Sequence, residues 1–432
     1  MNLAHFIAKR TAFSKSKSFT KIIVRIAIAA VAISLSVMLI TTMIISGFKN
    51  QISTKVFGFW GHIHITDTNI NRTFEQTPIS IKDDYIDEIK DIEWLDYQVP
   101  VSYLGHELLG KYKSKRSLGG VNHVQPFALV AGIISTKKEF GAIMLKGVDE
   151  DFQWDYLPGF LQEGEVLDFS SDQDNGIIVS SVTARALQLK VGQRIKVSFI
   201  RNHDQLKRVF KVKGIYNTGL EEYDKRFAIV DLRKTQQILG WETDKVSGLE
   251  IFLDDIEDLD VINEYIYNDI LPARMYSETI RTKFPSIFEW LKLQDINEDL
   301  LMWLMIIVGV INMITTLLIL ILERSHMIGV LKALGSTNWK VRKIFLYNAM
   351  YIVLFGMGVG NILGLGICYL QDITHFITLD ETNYYLSYAP ILFNWKSIVM
   401  INVLCFVIIV LFLMIPTYLI TKITPIKTLR FD

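Results

Sequence analysis

Four stretches of this chain contain no Asp, Glu, Lys or Arg: Ile26–Phe48, Leu300–Leu322, Ile344–Gln371 and Ser397–Thr421, of 23, 23, 28 and 25 residues. About 20 apolar residues cross the hydrocarbon core of a bilayer as a helix. One such run could equally be a buried helix of a soluble protein, but four in one chain predict four membrane spans. The first run is longer than the apolar core of a signal peptide, and no small-x-small cleavage site closes it. It reads as a retained signal-anchor helix.

The charges that avoid these windows are segregated. Residues 1–25, 323–343 and 422–432 together hold 14 Lys/Arg against 2 Asp/Glu, within a chain that has 45 of each and a formal net charge of zero. If all four windows cross, these three segments share one side, and the positive-inside rule makes that side the cytoplasm. Residues 49–299 and 372–396 then lie outside. A zero balance thus resolves into a basic inner face and an acidic outer remainder. Without an overall basic excess, nucleic acid is not an expected partner. Two Cys exclude a disulfide-stapled scaffold; Cys368 and Cys405 fall inside the third and fourth windows and read as small buried thiols.

Residues 49–299 are too rich in patterned segments to be a linker. His62–Thr66, Ile195–Phe199 and Val209–Val212 alternate as strands. Asp83–Lys90, Ser181–Leu189 and Leu232–Leu239 place apolar residues at helical spacing. Turn signals at Asp174-Asn175-Gly176 and Asn217-Thr218-Gly219 punctuate them. The expected fold is four transmembrane α-helices with a large α+β extracytoplasmic domain inserted between helices 1 and 2. Within it, 58–149 and 243–282 read as a βαβ-type layer and 150–242 as an inserted subdomain. Residues 283–299 carry Pro285 near a helix start and no breaker before the second window. A single helix from Phe284 to Leu322 would be roughly 58 Å long at 1.5 Å per residue, so the excess reads as a stalk.

Catalytic signatures are absent. The sequence has no G-x-x-x-x-G-K-[ST] loop, no H-E-x-x-H and no G-x-S-x-G. His62 and His64 share one face of a strand, but no acidic or Cys ligand is near in sequence. They read as a surface strand face, and no catalytic or metal residue is assigned. The windows carry only scattered polar residues such as Asn312, Asn361 and Asn402, which argues against conduction of polar solutes. Gly356, Gly360 and Gly364 allow close helix packing, either within one chain or at a dimer seam.

The segment between windows two and three is the most suggestive. Met327, Val330, Leu331 and Leu334 recur at i, i+3, i+4 and i+7, and Gly335 suits a C-terminal cap. Such a helix either presents one face to a partner or anchors on lipid headgroups. Leu3, Phe6, Ile7 and Phe13, with Lys9 and Arg10, suggest a lipid-anchoring amphipathic segment at the N-terminus.

One span, a domain of about 250 residues and three more spans is a recognisable layout, and short motifs occur along it in order. They are Phe6-Ile7-Ala8-Lys9-Arg10, Ser46-Gly47-Phe48, Gly61-His62-Ile63, a turn at Lys146-Gly147-Val148-Asp149 and the strand and turn Gly214–Gly219. Glu323-Arg324 through Ile328–Gly335 and the tail Pro425–Arg430 complete the set. In this order they resemble the LolC/LolE family of lipoprotein-releasing ABC permeases, within the wider MacB/FtsX group. The resemblance implies a bacterial inner-membrane subunit with both termini cytoplasmic and the large domain periplasmic. It implies a LolD-like ATPase that binds the ATP and Mg, so that this chain holds no cofactor of its own. It further implies a second permease copy or paralogue, lipoprotein substrates and a periplasmic carrier.

Under that resemblance, Glu323, Arg324, Met327, Ile328, Val330, Leu331, Lys332, Leu334 and Gly335 form the ATPase-coupling segment. Met43, Ile44, Phe48, Trp303, Leu304 and Ile307 are the expected lining of the substrate cavity. One departure stands out. LolC-type subunits dock the carrier through a longer, Pro-containing loop, whereas Ile200–Lys207 is short and has no Pro. That argues against docking through this loop and leaves a LolC-like role, a LolE-like role and another substrate open. The alternatives are a MacB-like efflux motor subunit and an FtsX-like transmembrane signalling scaffold.

Overall fold

Apolar windows of this length can satisfy their backbone in lipid only by hydrogen-bonding internally, and each lies in a long helix. The computed structural model describes residues 19–69, 77–103, 106–136, 139–154, 160–170, 175–201, 204–380, 384 and 386–422. The N-terminal amphipathic segment over Leu3–Phe13 and the tail motif Pro425–Arg430 lie outside the described residues. The long helices are α1 (Phe19–Trp60), α8 (Pro285–Glu323), α10 (Asn338–Thr374) and α11 (Trp395–Thr417). All four are long and apolar enough to cross a membrane. At 1.5 Å per residue, α1 and α8, of 42 and 39 residues, measure roughly 63 and 58 Å. Two short helices, α9 (Ser325–Ala333) and α12 (Leu419–Lys422), flank α10 and α11 in the chain.

The chain divides into two units. Among the described residues, the helical unit comprises 19–50, 289–379 and 388–422. Its core threads Leu35, Leu39, Met313, Leu317, Ile328, Val353, Cys405 and Leu413. The glycine seam of α10 is occupied within the chain. Gly356 faces Val31 and Ile28, Gly360 faces Ala32, and Gly364 faces Ser36, each so closely that an added Cβ would press on α1. Ser36 Oγ donates to the Gly360 carbonyl at 2.9 Å. Gly358 and Gly366, on other faces of α10, have nothing within 4 Å. Gly47 of the Ser-Gly-Phe motif is needed for a different close approach, because a Cβ there would lie 2.5 Å from the Pro390 carbonyl oxygen.

The second unit comprises the described residues within 51–288 and 380–387. It is α+β, with strands β1 (Ile63–Asp67), β2 (Ile79–Ser80), β3 (Asp96–Tyr103), β4 (His106–Arg116), β5 (Val121–Ser135), β6 (Phe140–Val148) and β7 (Leu161–Gly164). These are followed by β8 (Gly176–Ser180), β9 (Arg194–Arg201), β10 (Asp204–Tyr216), β11 (Phe227–Asp231), β12 (Lys245–Val246), β13 (Gly248–Leu253) and β14 (Met275–Thr279). The helices are α2 (Tyr85–Lys90), α3 (Ser181–Leu187), α4 (Glu221–Asp224), α5 (Leu232–Leu239), α6 (Leu259–Tyr265) and α7 (Ile280–Lys283). Caps fix several ends. The Ser180 hydroxyl accepts from Thr183 N, the Asp231 carboxylate accepts from Arg233 N, and Gly240 closes α5 at φ +76°.

Strand β5 does double duty. Its first half pairs with β13, which continues through β1 to β14, all antiparallel. Its second half enters a ring: β5 pairs β6, β6 pairs β11, β11 pairs β8, β8 pairs β10, β10 pairs β9, and β9 returns to β5. The ring is a closed six-stranded barrel, which leaves no unpaired edge among its members. Phe199, Phe210, Val197, Val212, Leu145 and Val179 fill it. Gly132 faces the interior because the Phe199 ring occupies the space of its missing side chain. The sheet therefore runs continuously across residue 150, joining strands from both sides of that position. Lys146-Gly147-Val148, expected in a turn, ends strand β6, with Asp149 just beyond it.

The structure also overturns the reading of the two histidines. His62 and His64 are not on a surface strand face; both are buried. Strand β1 lies between β13 and β14 and is covered on both sides, so an alternating pattern there does not imply an exposed face.

Candidate functional site

The segment after α8 builds a compact connector. Helix α9 ends in a Schellman motif: Ser336 N donates to Leu331 O, Gly335 N donates to Lys332 O (both 3.0 Å), and Gly335 takes φ +85°. Thr337 then starts α10. The apolar residues of α9 divide between two faces. Ile328 and Gly329 are buried in the helical core, with Met327 and Leu331 packed against it. Val330 and Leu334 point outward, Leu334 being 79% exposed, and Trp339 is exposed at the start of α10. Helix α9 and the first turns of α10 are also tied by polar contacts. Lys332 Nζ donates to the Ile420 carbonyl of α12 at 2.6 Å, and Arg342 Nε donates to Thr417 Oγ1 at 3.2 Å. Glu323 is exposed and Arg324 half-buried at the α8–α9 corner. The connector is thus wedged by Ile328, clamped by Lys332 and Arg342, and left with an apolar outer face.

The six residues expected to line a cavity do not share one surface. Met43 is buried in the helical core, and its carbonyl accepts from Leu392 N at 3.1 Å. Ile44 and Phe48 are half-buried, with the Phe48 ring edge-on to Trp290 at 6.2 Å. Trp303, Leu304 and Ile307 are exposed, and with Leu300 and Ile311 they make one stripe along α8.

Two polar side chains of the helical unit are paired with one another. Asn361 of α10 and Asn402 of α11 exchange amide hydrogen bonds of 2.8 and 3.0 Å. Each also donates back to its own helix, to Met357 O and Ile398 O, both at 2.9 Å. Gln371 is buried and organises the chain after α10, accepting from Ile377 N at 2.8 Å and donating to Ala389 O at 2.9 Å. Among the described residues no group of three His, Cys, Asp or Glu side chains is placed to hold a metal ion. At the position where the resemblance places carrier docking, β9 and β10 pair up to the ends of the turn. Ile200 and Arg201 end β9, Asp204–Lys207 begin β10, and Arg201 pairs with Asp204.

Sequence reasoning missed a buried charged group in the second unit, Lys146 with Glu250. The two are far apart in sequence and neither belongs to a motif with a known chemical role.

Comparison with known proteins agrees with this architecture in chain order. Residues 26–267 match the MacB-like periplasmic core domain, and residues 300–425 match the FtsX-like permease C-terminal domain. The chain belongs to the family of proteins built on the MacB-like periplasmic core domain. More narrowly, it is a LolC/LolE-type permease. It is 19% identical over 457 residues to the lipoprotein-releasing system transmembrane protein LolE of Haemophilus influenzae, covering 99% of each chain. It is 22% identical over 429 residues to the LolC protein of Buchnera aphidicola subsp. Acyrthosiphon pisum, covering 95% of this chain and 94% of that one. The extracellular domain of the noncanonic ABC-type transporter YknZ from Gram-positive bacteria aligns over 50% of this chain and 98% of that one. The identity there is 12% and the TM-score 0.33.

Proposed function

We propose that this chain is the permease subunit of an ABC transporter that extracts lipoproteins from the bacterial inner membrane and passes them to a periplasmic carrier. A separate LolD-like ATPase would bind ATP and Mg and supply the energy. The observation that carries the reading is the end-to-end match, at 99% coverage of both chains, to a protein named for lipoprotein release. The basic segments 1–25, 323–343 and 422–432 would face the cytoplasm and the second unit the periplasm, by the positive-inside rule.

In this reading Val330, Leu334 and Trp339 form the apolar patch that the ATPase engages. Ile328 and Lys332 pass its movement into α8, α10 and α12. The exposed stripe Trp303, Leu304 and Ile307, with Ile44 and Phe48, would line the path of the lipid chains, and a second permease copy or paralogue would close it. Met43, held in the core, would support that wall from behind. Exposing one CH₂ to water costs about 0.8 kcal/mol, so three chains of about 15 carbons cost roughly 35 kcal/mol if exposed fully. That exceeds what hydrolysis of one ATP supplies, so an apolar path is a physical requirement. The short β9–β10 hairpin favours a LolE-like subunit over one that docks the carrier itself.

Reconstitution tests the reading. Vesicles holding this chain, its co-purifying ATPase and a triacylated lipoprotein should release the lipoprotein to a soluble carrier only when ATP is added. Release without ATP, or ATP turnover that lipoprotein neither stimulates nor couples to release, would contradict it.

A further inference from the structure

Helix α1 ends inside the second unit in a way that short-range forces alone do not require. Its last turn leaves carbonyl oxygens without intrahelical partners. Gly61 adopts φ +69° and its N–H closes back on Phe57 O at 2.7 Å. A Cβ at Gly61 would meet Glu250 Cβ at 3.2 Å, so the glycine admits that residue. The last two carbonyls of the helix, of Phe59 and Trp60, accept from buried side chains. Lys146 Nζ donates to Phe59 O, and His64 Nε2 donates to Trp60 O.

Both donors belong to one connected group. Lys146 and Glu250 are fully buried, and Nζ lies 2.7 Å from Oε1 and 3.0 Å from Oε2. Gln125 Nε2 donates to Glu250 Oε2 at 2.8 Å, and the Gln125 carbonyl oxygen accepts from Gln153 N at 3.1 Å. His64 Nδ1 accepts from Lys283 Nζ at 2.7 Å, which assigns the ring proton to Nε2 and makes it the donor to Trp60. Lys283 also pairs with Glu278 Oε1 at 2.9 Å and stands two residues before Pro285, the start of α8. Lys146 sits over the rings of Phe59 and Trp60, at 4.7 and 4.8 Å from their centroids. Burial and the neighbouring Lys283 hold His64 neutral.

We infer that Lys146, Glu250, His64 and Lys283 are positioning residues that lock the end of α1 and the residues leading into α8 onto strands β1, β6 and β13. Movement of either helix is thereby delivered to the sheet and is not lost at a loose joint. A buried ammonium at a helix C-terminus also meets the negative end of the helix dipole. An apolar pair of equal length would fill the same space, so packing alone does not call for charges here. The functional part of this inference rests on the permease reading above; the mechanical part does not.

The test uses the full chain with its ATPase and the paired variant Lys146→Met/Glu250→Met, alongside Glu250→Gln, which keeps the side-chain shape. Amide exchange is followed in the full-length protein. The amides of Phe57–His62 should exchange at least about tenfold faster in the paired variant, while those of the β8–β10 barrel strands stay unchanged. The lipoprotein released per ATP hydrolysed should fall severalfold, with basal ATP hydrolysis kept. Unchanged exchange at Phe57–His62 would overturn the lock whatever the transported substrate. Faster exchange with an unchanged release ratio would overturn its role in coupling. Loss of folding in both variants would assign the group to stability alone and would likewise overturn the inference. A wild-type complex that releases no lipoprotein would count against the permease reading, and the exchange arm would still decide the lock.

Discussion

Gly360 of α10 lies directly against the backbone of Ala32 in α1, so closely that a Cβ would stand 2.8 Å from the Ala32 carbonyl oxygen. Gly360→Val should therefore force the two helices apart and destabilise the helical unit by about 1–3 kcal/mol, the usual cost of overpacking. Gly358→Ala, with open space at its Cα, should be neutral. Thermal unfolding in detergent measures both. Equal behaviour of the two variants would show that the seam does not run along Gly356, Gly360 and Gly364.

The reciprocal amide pair makes a second prediction. Asn361→Leu leaves the Asn402 amide with only its own-helix contact and should cost about 0.5–2 kcal/mol, the range for polar contacts between membrane helices. The double variant Asn361→Leu/Asn402→Leu should recover much of that loss, since no orphaned amide remains. A double-mutant cycle with no coupling would place the two amides apart.

On α9 the division of apolar residues separates partner binding from folding. Leu334→Asp alters an exposed side chain and should abolish co-purification of the ATPase while membrane insertion and thermal stability stay as in wild type. Leu331→Asp strikes a residue packed against the core and should lower stability as well. If the ATPase still binds the Leu334 variant at wild-type affinity, the outer face of α9 is not its docking surface.

His62 makes a pH prediction. Burial lowers its pKa from 6.5 to about 4, and its Nδ1 accepts from Leu253 N at 2.8 Å. The unfolded chain takes up a proton as pH falls below 6.5, whereas the folded chain resists until about 4. The stability contributed by the neutral ring is thus complete above pH 6.5 and is lost progressively down to pH 4. The loss is at most about 3.5 kcal/mol at 1.4 kcal/mol per pKa unit. His62→Asn keeps an acceptor near Nδ1 and removes the titration. Wild type should lose more stability than this variant between pH 6.5 and 4.5 in matched denaturation curves. Parallel curves would mean the ring is accessible to protons in the folded state.

Much of this architecture was legible because charge is expensive in lipid. The four windows could be read from missing Asp, Glu, Lys and Arg alone, and amphipathic spacing located Ile86 and Ile89 of α2 and Leu232 of α5. Long-range pairing was not legible. Nothing local to His64 reveals that β13 and β14 flank its strand, and Lys146 and Glu250 meet only because β6 and β13 converge on the end of α1. Spacing along α9 could not tell Leu331 from Val330 either. The choice of inner face depends on where Ile328 wedges into the other helices, a fact of packing and not of period. The barrel escaped for the same reason: closure of β9 onto β5 is a contact between residues about 60 apart in sequence, as Ser135–Lys196 shows.

The central claim is tested most directly by depleting the chain in its own cell and fractionating the membranes. The account predicts that lipoproteins destined for the outer membrane accumulate in the inner membrane as the chain disappears, and that re-expression of wild type, but not of Leu334→Asp, clears them. Normal lipoprotein distribution in depleted cells would contradict it.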